Sequence, residues 1–66
     1  MIGKIKFYSN NKGFGFILGQ DKNEYFFHIS SIKSSDVELI EEDVSVTFDP
    51  FLETKGLVAK NIVIEE

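Results

Sequence analysis

Hydrophobic residues in this chain recur at every second position, in short runs separated by polar turn residues, which is the period of strands and not of helices. Ile2 to Tyr8 sets lysines at 4 and 6 against Ile5 and Phe7, a first strand with one wet face. On alternation alone Phe7 follows Ile5 inward, but Phe7 and Tyr8 put aromatics on both faces, and a bulge or strong twist there turns one of them out. Ser9 to Gly13 is a loop of turn formers. Lys12-Gly13-Phe14-Gly15-Phe16-Ile17 and Glu24-Tyr25-Phe26-Phe27-His28-Ile29 follow as a second and third strand. The polar segment Gly19 to Asn23 joins them as a hairpin.

This hairpin has aromatic residues on both faces, and so short a chain has little with which to cover the second. Lys12, Phe14 and Phe16 share one face with Phe26 and His28; Ile17, Tyr25 and Phe27 take the other, with Ile29 joining them if the alternation persists. Lysine and histidine resist burial, so the face that carries Phe14, Phe16 and Phe26 is assigned to solvent. Three clustered phenylalanines beside a lysine and a histidine form a platform on which flat rings can stack.

After His28 the pattern changes. Ile29 to Ile32 fits one helical turn capped by a serine. Lys33 to Asp43 reads as a polar connection, with at least one of Val37, Leu39 and Ile40 tucked under the sheet; a helix over Ser35 to Glu42 would be too short and too β-branched. Asp43 to Asp49 alternates again through Val44, Val46 and Phe48, and Pro50 ends this fourth strand or marks an edge. Phe51 to Gly56 reads as a loop, and Leu57 to Ile64 as a fifth strand. Five short strands without a substantial helix indicate an all-β fold, a five-stranded antiparallel Greek-key barrel of the OB-fold type, whose strands two and three form its usual oligonucleotide-binding face.

Composition narrows the chemistry. The 66 residues make one domain, with no room for a deep pocket or a small-molecule substrate, and cysteine is absent, which removes disulfides, thiolate nucleophiles and cysteine-ligated metals. The single histidine cannot build a multi-histidine metal site, Ser30 and Ser31 read as caps and not nucleophiles, and Glu41-Glu42-Asp43 reads as a solvated loop. Lys12 to Gly15 is too short for a phosphate-binding loop and leads into a strand. No enzyme, cofactor or metal is expected. No apolar run reaches a membrane span, and the N-terminus lacks the layout of a secretory signal, so a cytoplasmic monomer is expected. The net charge of −4 hides an asymmetry: residues 1–33 hold five lysines and two acids, residues 34–66 two lysines and nine acids. The aromatic platform lies in the basic half, which favours an anionic ligand over the alternative, an extended peptide held in an SH3-like groove.

Lys12 to Ile17 also matches the RNP1 pattern of RRM domains, but an RRM needs two helices and places this motif after its partner. With the RNP1-like stretch first, the RNP2-like Tyr25 to Ile29 second, and five strands, the chain resembles the bacterial cold-shock proteins from Gly3 to about Ile64. Gly3 to Tyr8 is similar to that family's opening strand and Ala59 to Ile62 to its last. The resemblance implies a module that binds single-stranded RNA and DNA and acts as an RNA chaperone. It implies stacking by Phe7, Phe14, Phe16, Phe26 and His28, phosphate contacts from Lys6, Lys12 and Lys55, and a base-edge contact from Glu24. The chain departs from the family at Phe7, where Trp is usual, at Ile29 and Val37, where Phe is frequent, at Ser9 for Asn and at Leu57 for Pro. Ile29 and Val37 can still cover a base without offering a matching π-face, so weaker binding or a shorter footprint is expected.

Overall fold

A computed structural model describes residues 1–65. The five expected strands are present: β1 (Ile2–Ser9), β2 (Phe14–Gly19), β3 (Glu24–His28), β4 (Ser45–Glu53) and β5 (Gly56–Ile64). They close into a barrel in the order β1-β2-β3-β5-β4. The first three form an antiparallel meander, and β4 returns by the long connection to pair with β1 at Ile2↔Thr47, the Greek-key arrangement. Closure comes through a parallel contact of β3 with β5 at Phe26↔Val58, which the bridge Ile32↔Ile62 continues. No helix among the described residues is long and apolar enough to cross a membrane.

The barrel interior is the face that alternation assigns to it. Phe27, Ile5, Ile17 and Val46 are fully buried, and Tyr25, Phe48, Ala59, Ile62, Ile32 and Ile40 complete the core. Of the three apolar residues in the connection, Ile40 is buried, Val37 packs partly against the core and Leu39 stays exposed.

A one-residue bulge settles the direction of Phe7. Ile5 pairs with Ile17 and Phe7 with Phe16, so Lys6 is an extra residue in β1. The insertion shifts the alternation by one: Phe7 turns out to 44% exposure, and Tyr8 turns in to stack on Phe27 at 6.2 Å between ring centroids. Beside the bulge the strands approach closely at Gly15. A Cβ there would lie 2.1 Å from the Phe7 carbonyl oxygen and 2.8 Å from the Phe27 ring, so only glycine fits.

Several local expectations change. The turn Ile29–Ser31 is a 3-10 turn capped by His28, not by a serine: the imidazole Nδ1 accepts from the Ser30 N–H at 3.1 Å. Ser34–Leu39 forms a 3-10 segment where an irregular connection was expected. Gly13 takes φ +71° and β2 starts at Phe14, so Lys12 sits in the preceding turn, off the strand alternation that grouped it with Phe14 and Phe16. Pro50 marks an edge without ending β4. The β1 pairing runs only to Thr47, so β4 at Pro50 has β5 on one side and needs no N–H for the other. The strand therefore continues through Phe51-Leu52-Glu53, opposite Val58-Leu57-Gly56, and the expected six-residue loop shrinks to the turn Thr54-Lys55. A second bulge lies on this hairpin, where Thr47 pairs with Val63 and Asp49 with Lys60. Its extra residue Asn61 adopts φ +52° and donates from its side-chain amide to Asp49 at 2.9 Å.

Candidate nucleic-acid interface

Strand pairing brings the outward phenylalanines into one continuous surface. Phe7 pairs with Phe16 across β1 and β2, Phe16 with Phe26 and Phe14 with His28 across β2 and β3. Ring centroids are 6.4 Å apart for Phe7 and Phe14, 5.6 Å for Phe14 and Phe26, and 5.8 Å for Phe16 and Phe26, the last pair edge to face. These are the spacings of favourable ring pairs, so the rings hold one another in place. Phe26 is 37% exposed and Phe14 and Phe16 are half-buried; each roots in the sheet and keeps part of its surface for solvent.

His28 closes one end of the surface. Because Nδ1 accepts from Ser30 N–H, the neutral ring carries its proton on Nε2, beside Gly13. Ile29 leaves the strand alternation as the 3-10 turn begins. Half-exposed, it packs on Gly13, its N–H donating to the Gly13 carbonyl at 2.9 Å, and so adjoins this same end. Val37 is placed differently. It packs against the core and lines a separate cleft of about 350 Å³ with Tyr8, Asn10, Glu38 and Ile40, which none of the clustered phenylalanines lines.

The charged residues form a rim. Lys6, outward at the bulge, reaches across β2 to Glu24 on β3, Nζ to Oε2 2.6 Å, so one predicted phosphate contact and the predicted base-edge acceptor are tied to each other. Both side chains are about half exposed, and a pair of this kind contributes roughly 0–1 kcal/mol, little enough for a ligand to rearrange. Lys12 is exposed in the turn before β2, and neither it nor Lys55 forms an ion pair among the described residues. Lys55 lines an open cleft of about 450 Å³ with Phe16, Phe26, Glu53, Leu57 and Val58, which extends the platform onto the β4–β5 hairpin.

That hairpin carries features the sequence reading missed. Phe51, 45% exposed, pairs with Val58, which pairs in turn with Phe26, so one outward row runs from β3 to β4. The Lys60 ammonium lies 5.4 Å from the Phe51 ring centroid and 2.9 Å from a Glu53 carboxylate oxygen. The signal was available: 51 and 53 share a strand parity and oppose 58 and 56, but Pro50 argued for a loop.

The chain matches the "Cold-shock" DNA-binding domain over residues 1–64. It is 39% identical over 61 residues to Cold shock protein 1 of Lactiplantibacillus plantarum, covering 92% of each chain. It is 39% identical over 62 residues to Cold shock-like protein CspB of Bacillus cereus, covering 94% of this chain and 95% of that one. With Major cold shock protein CspA of Bacillus anthracis the identity is 36% over 63 residues, covering 96% and 94%. A closed five-stranded barrel, paired aromatic strands and a match along nearly the whole length lead to one conclusion: this chain belongs to the cold-shock domain family of nucleic-acid-binding proteins.

Proposed function

We propose that this protein binds single-stranded RNA and DNA as a cytoplasmic monomer, by stacking bases on Phe7, Phe14, Phe16, Phe26 and His28, and acts as an RNA chaperone. The observation that carries the proposal is the unbroken run of outward rings across β1, β2 and β3, with no buried partner to explain them. Bases stack on rings whatever their identity, so sequence preference across most of the platform is weak. Lys6, Lys12 and Lys55 meet phosphates, Glu24 accepts from a base edge, and Ile29 covers a base at the His28 end. Val37, turned towards the core, contributes least.

Chaperoning follows without ATP or any catalysed step. A hairpin opens transiently, the platform binds the open form better than the closed one, and the equilibrium shifts by that difference in affinity. Duplexes bind poorly because their bases are already stacked on each other.

The test is a titration of a labelled seven-nucleotide oligothymidylate with the parent protein and the Phe16→Ala and Phe26→Ala variants, with circular dichroism to follow folding. Each variant should stay folded and bind roughly tenfold more weakly, within the range of about 1–3 kcal/mol for one lost stack. Unchanged binding by folded variants would overturn the proposal. Unfolding would make the rings core, and failure of the oligothymidylate to displace a bound extended peptide would favour a peptide groove.

A further inference from the structure

The cleft between the platform and the β4–β5 hairpin carries a carboxylate of its own, Glu53, over an apolar floor. That floor is made of Phe16, Phe26, Leu57 and Val58, and Glu53 and Lys55 line the cleft from the hairpin. Glu53 is on the outward parity of β4, and its Oε2 accepts from Lys60 at 2.9 Å. Lys60 is itself placed by the Phe51 ring, 5.4 Å from its ammonium. Phe51 thus steadies Lys60, and Lys60 steadies the carboxylate. One lysine contact leaves most of the lone-pair positions of a carboxylate free, since its two oxygens offer about four.

A carboxylate next to a single-strand platform weakens general attraction for phosphates, so its gain must come from a base. Thymine and uracil offer it one N–H between two carbonyls, which the carboxylate repels. Cytosine and adenine offer an amino group beside an acceptor nitrogen. Guanine alone presents two parallel donors, N1–H and the 2-amino group, that match two carboxylate oxygens. From this geometry we infer that Glu53 is a specificity-determining residue, which reads the N1–H and 2-amino edge of a guanine lodged in the Phe16–Phe26–Val58 cleft. Lys55 on the same cleft offsets the repulsion between Glu53 and the nucleic-acid backbone.

The inference rests on the single-strand reading above, and its readout is the ratio of two affinities within one protein. A single guanine is moved through each position of a seven-nucleotide oligothymidylate, and binding is compared with the all-thymine oligomer. One position should gain about fivefold or more, the low end for a two-bond contact to a base. Inosine there, which lacks the 2-amino group, should keep only part of the gain, and adenine, an equally good purine for stacking, little of it. Glu53→Gln should abolish the guanine ratio, because an amide presents one acceptor and one donor; Glu42→Gln, exposed in the turn before β4, should not. No guanine-preferring position, a preference that adenine shares, or one kept with Glu53→Gln would overturn the assignment to Glu53 and leave the stacking proposal standing. Failure of both oligomers to bind would overturn the two together.

Discussion

At the scale of single residues, neighbours in sequence have opposite roles. Phe26 and Phe27 are adjacent, yet one lies 37% exposed on the platform and the other is fully buried. Phe27→Ala should cost about 3–5 kcal/mol, a large share of what so small a domain has, and thermal denaturation should find it unfolded or nearly so. Phe26→Ala should melt close to the parent. Equal losses of stability would contradict the assignment of faces. The hairpin turn between β2 and β3 makes a separate prediction. The Tyr25 hydroxyl donates to Asp21 at 2.5 Å and, with donors from Asn23, holds the Asp21 carboxyl below its ordinary value; the same bond, then burial, raises the Tyr25 phenol. A lowered carboxyl stabilises the fold above its unfolded value, about 4, and that contribution is lost as pH falls through the lowered folded value. The raised phenol contributes fully below its unfolded value, about 10, and loses that as pH rises through the folded one. Melting curves of the parent and Asp21→Asn should therefore differ near neutrality and converge in acid, whereas a gap independent of pH would exclude this bond as its source.

At the scale of elements, the interface depends on where strand alternation breaks. Both faces of β2 and β3 were legible because each residue keeps its parity from one end to the other: Phe14, Phe16, Phe26 and His28 out, Ile17, Tyr25 and Phe27 in. The bulge at Lys6 was visible only as a conflict, two adjacent aromatics with one core to serve, since register is a property of two strands and not of one. The β4–β5 hairpin was not legible, because Pro50 looks the same in sequence whether its strand ends or loses a neighbour on one side. The missing neighbour, β1, ends far away in the chain. The His28 cap was hidden for a similar reason: a serine in a first turn is the commoner cap, and here a histidine already placed by β3 reaches the Ser30 amide first. Gly15 ties β1 to β2 at the bulge, where an added Cβ would press on the Phe7 carbonyl and the Phe27 ring. Gly15→Ala should lose about 1–3 kcal/mol to overpacking, or roughly 4–8 °C in melting temperature for each kcal/mol. A variant as stable as the parent would mean that β1 can move away from β2 at no cost.

At the scale of the whole molecule, a net charge of −4 and a nucleic-acid ligand are compatible only if charge attraction is not the main source of affinity. The acids are concentrated in residues 34–66 and the lysines in residues 1–33, so the platform lies in the basic half. In the proposed binding mode stacking supplies most of the binding energy, and the lysines orient the backbone. Two to four phosphate contacts, at roughly 0.7 of a counterion each, correspond to a slope of about −1.4 to −2.8 in a plot of log affinity against log salt. The most direct measurement is fluorescence anisotropy of a labelled seven-nucleotide oligothymidylate, titrated with the protein across a series of salt concentrations. Micromolar or tighter binding with a slope in that range is the predicted result. A much steeper slope, or no binding even at low salt, would contradict a platform that works by stacking.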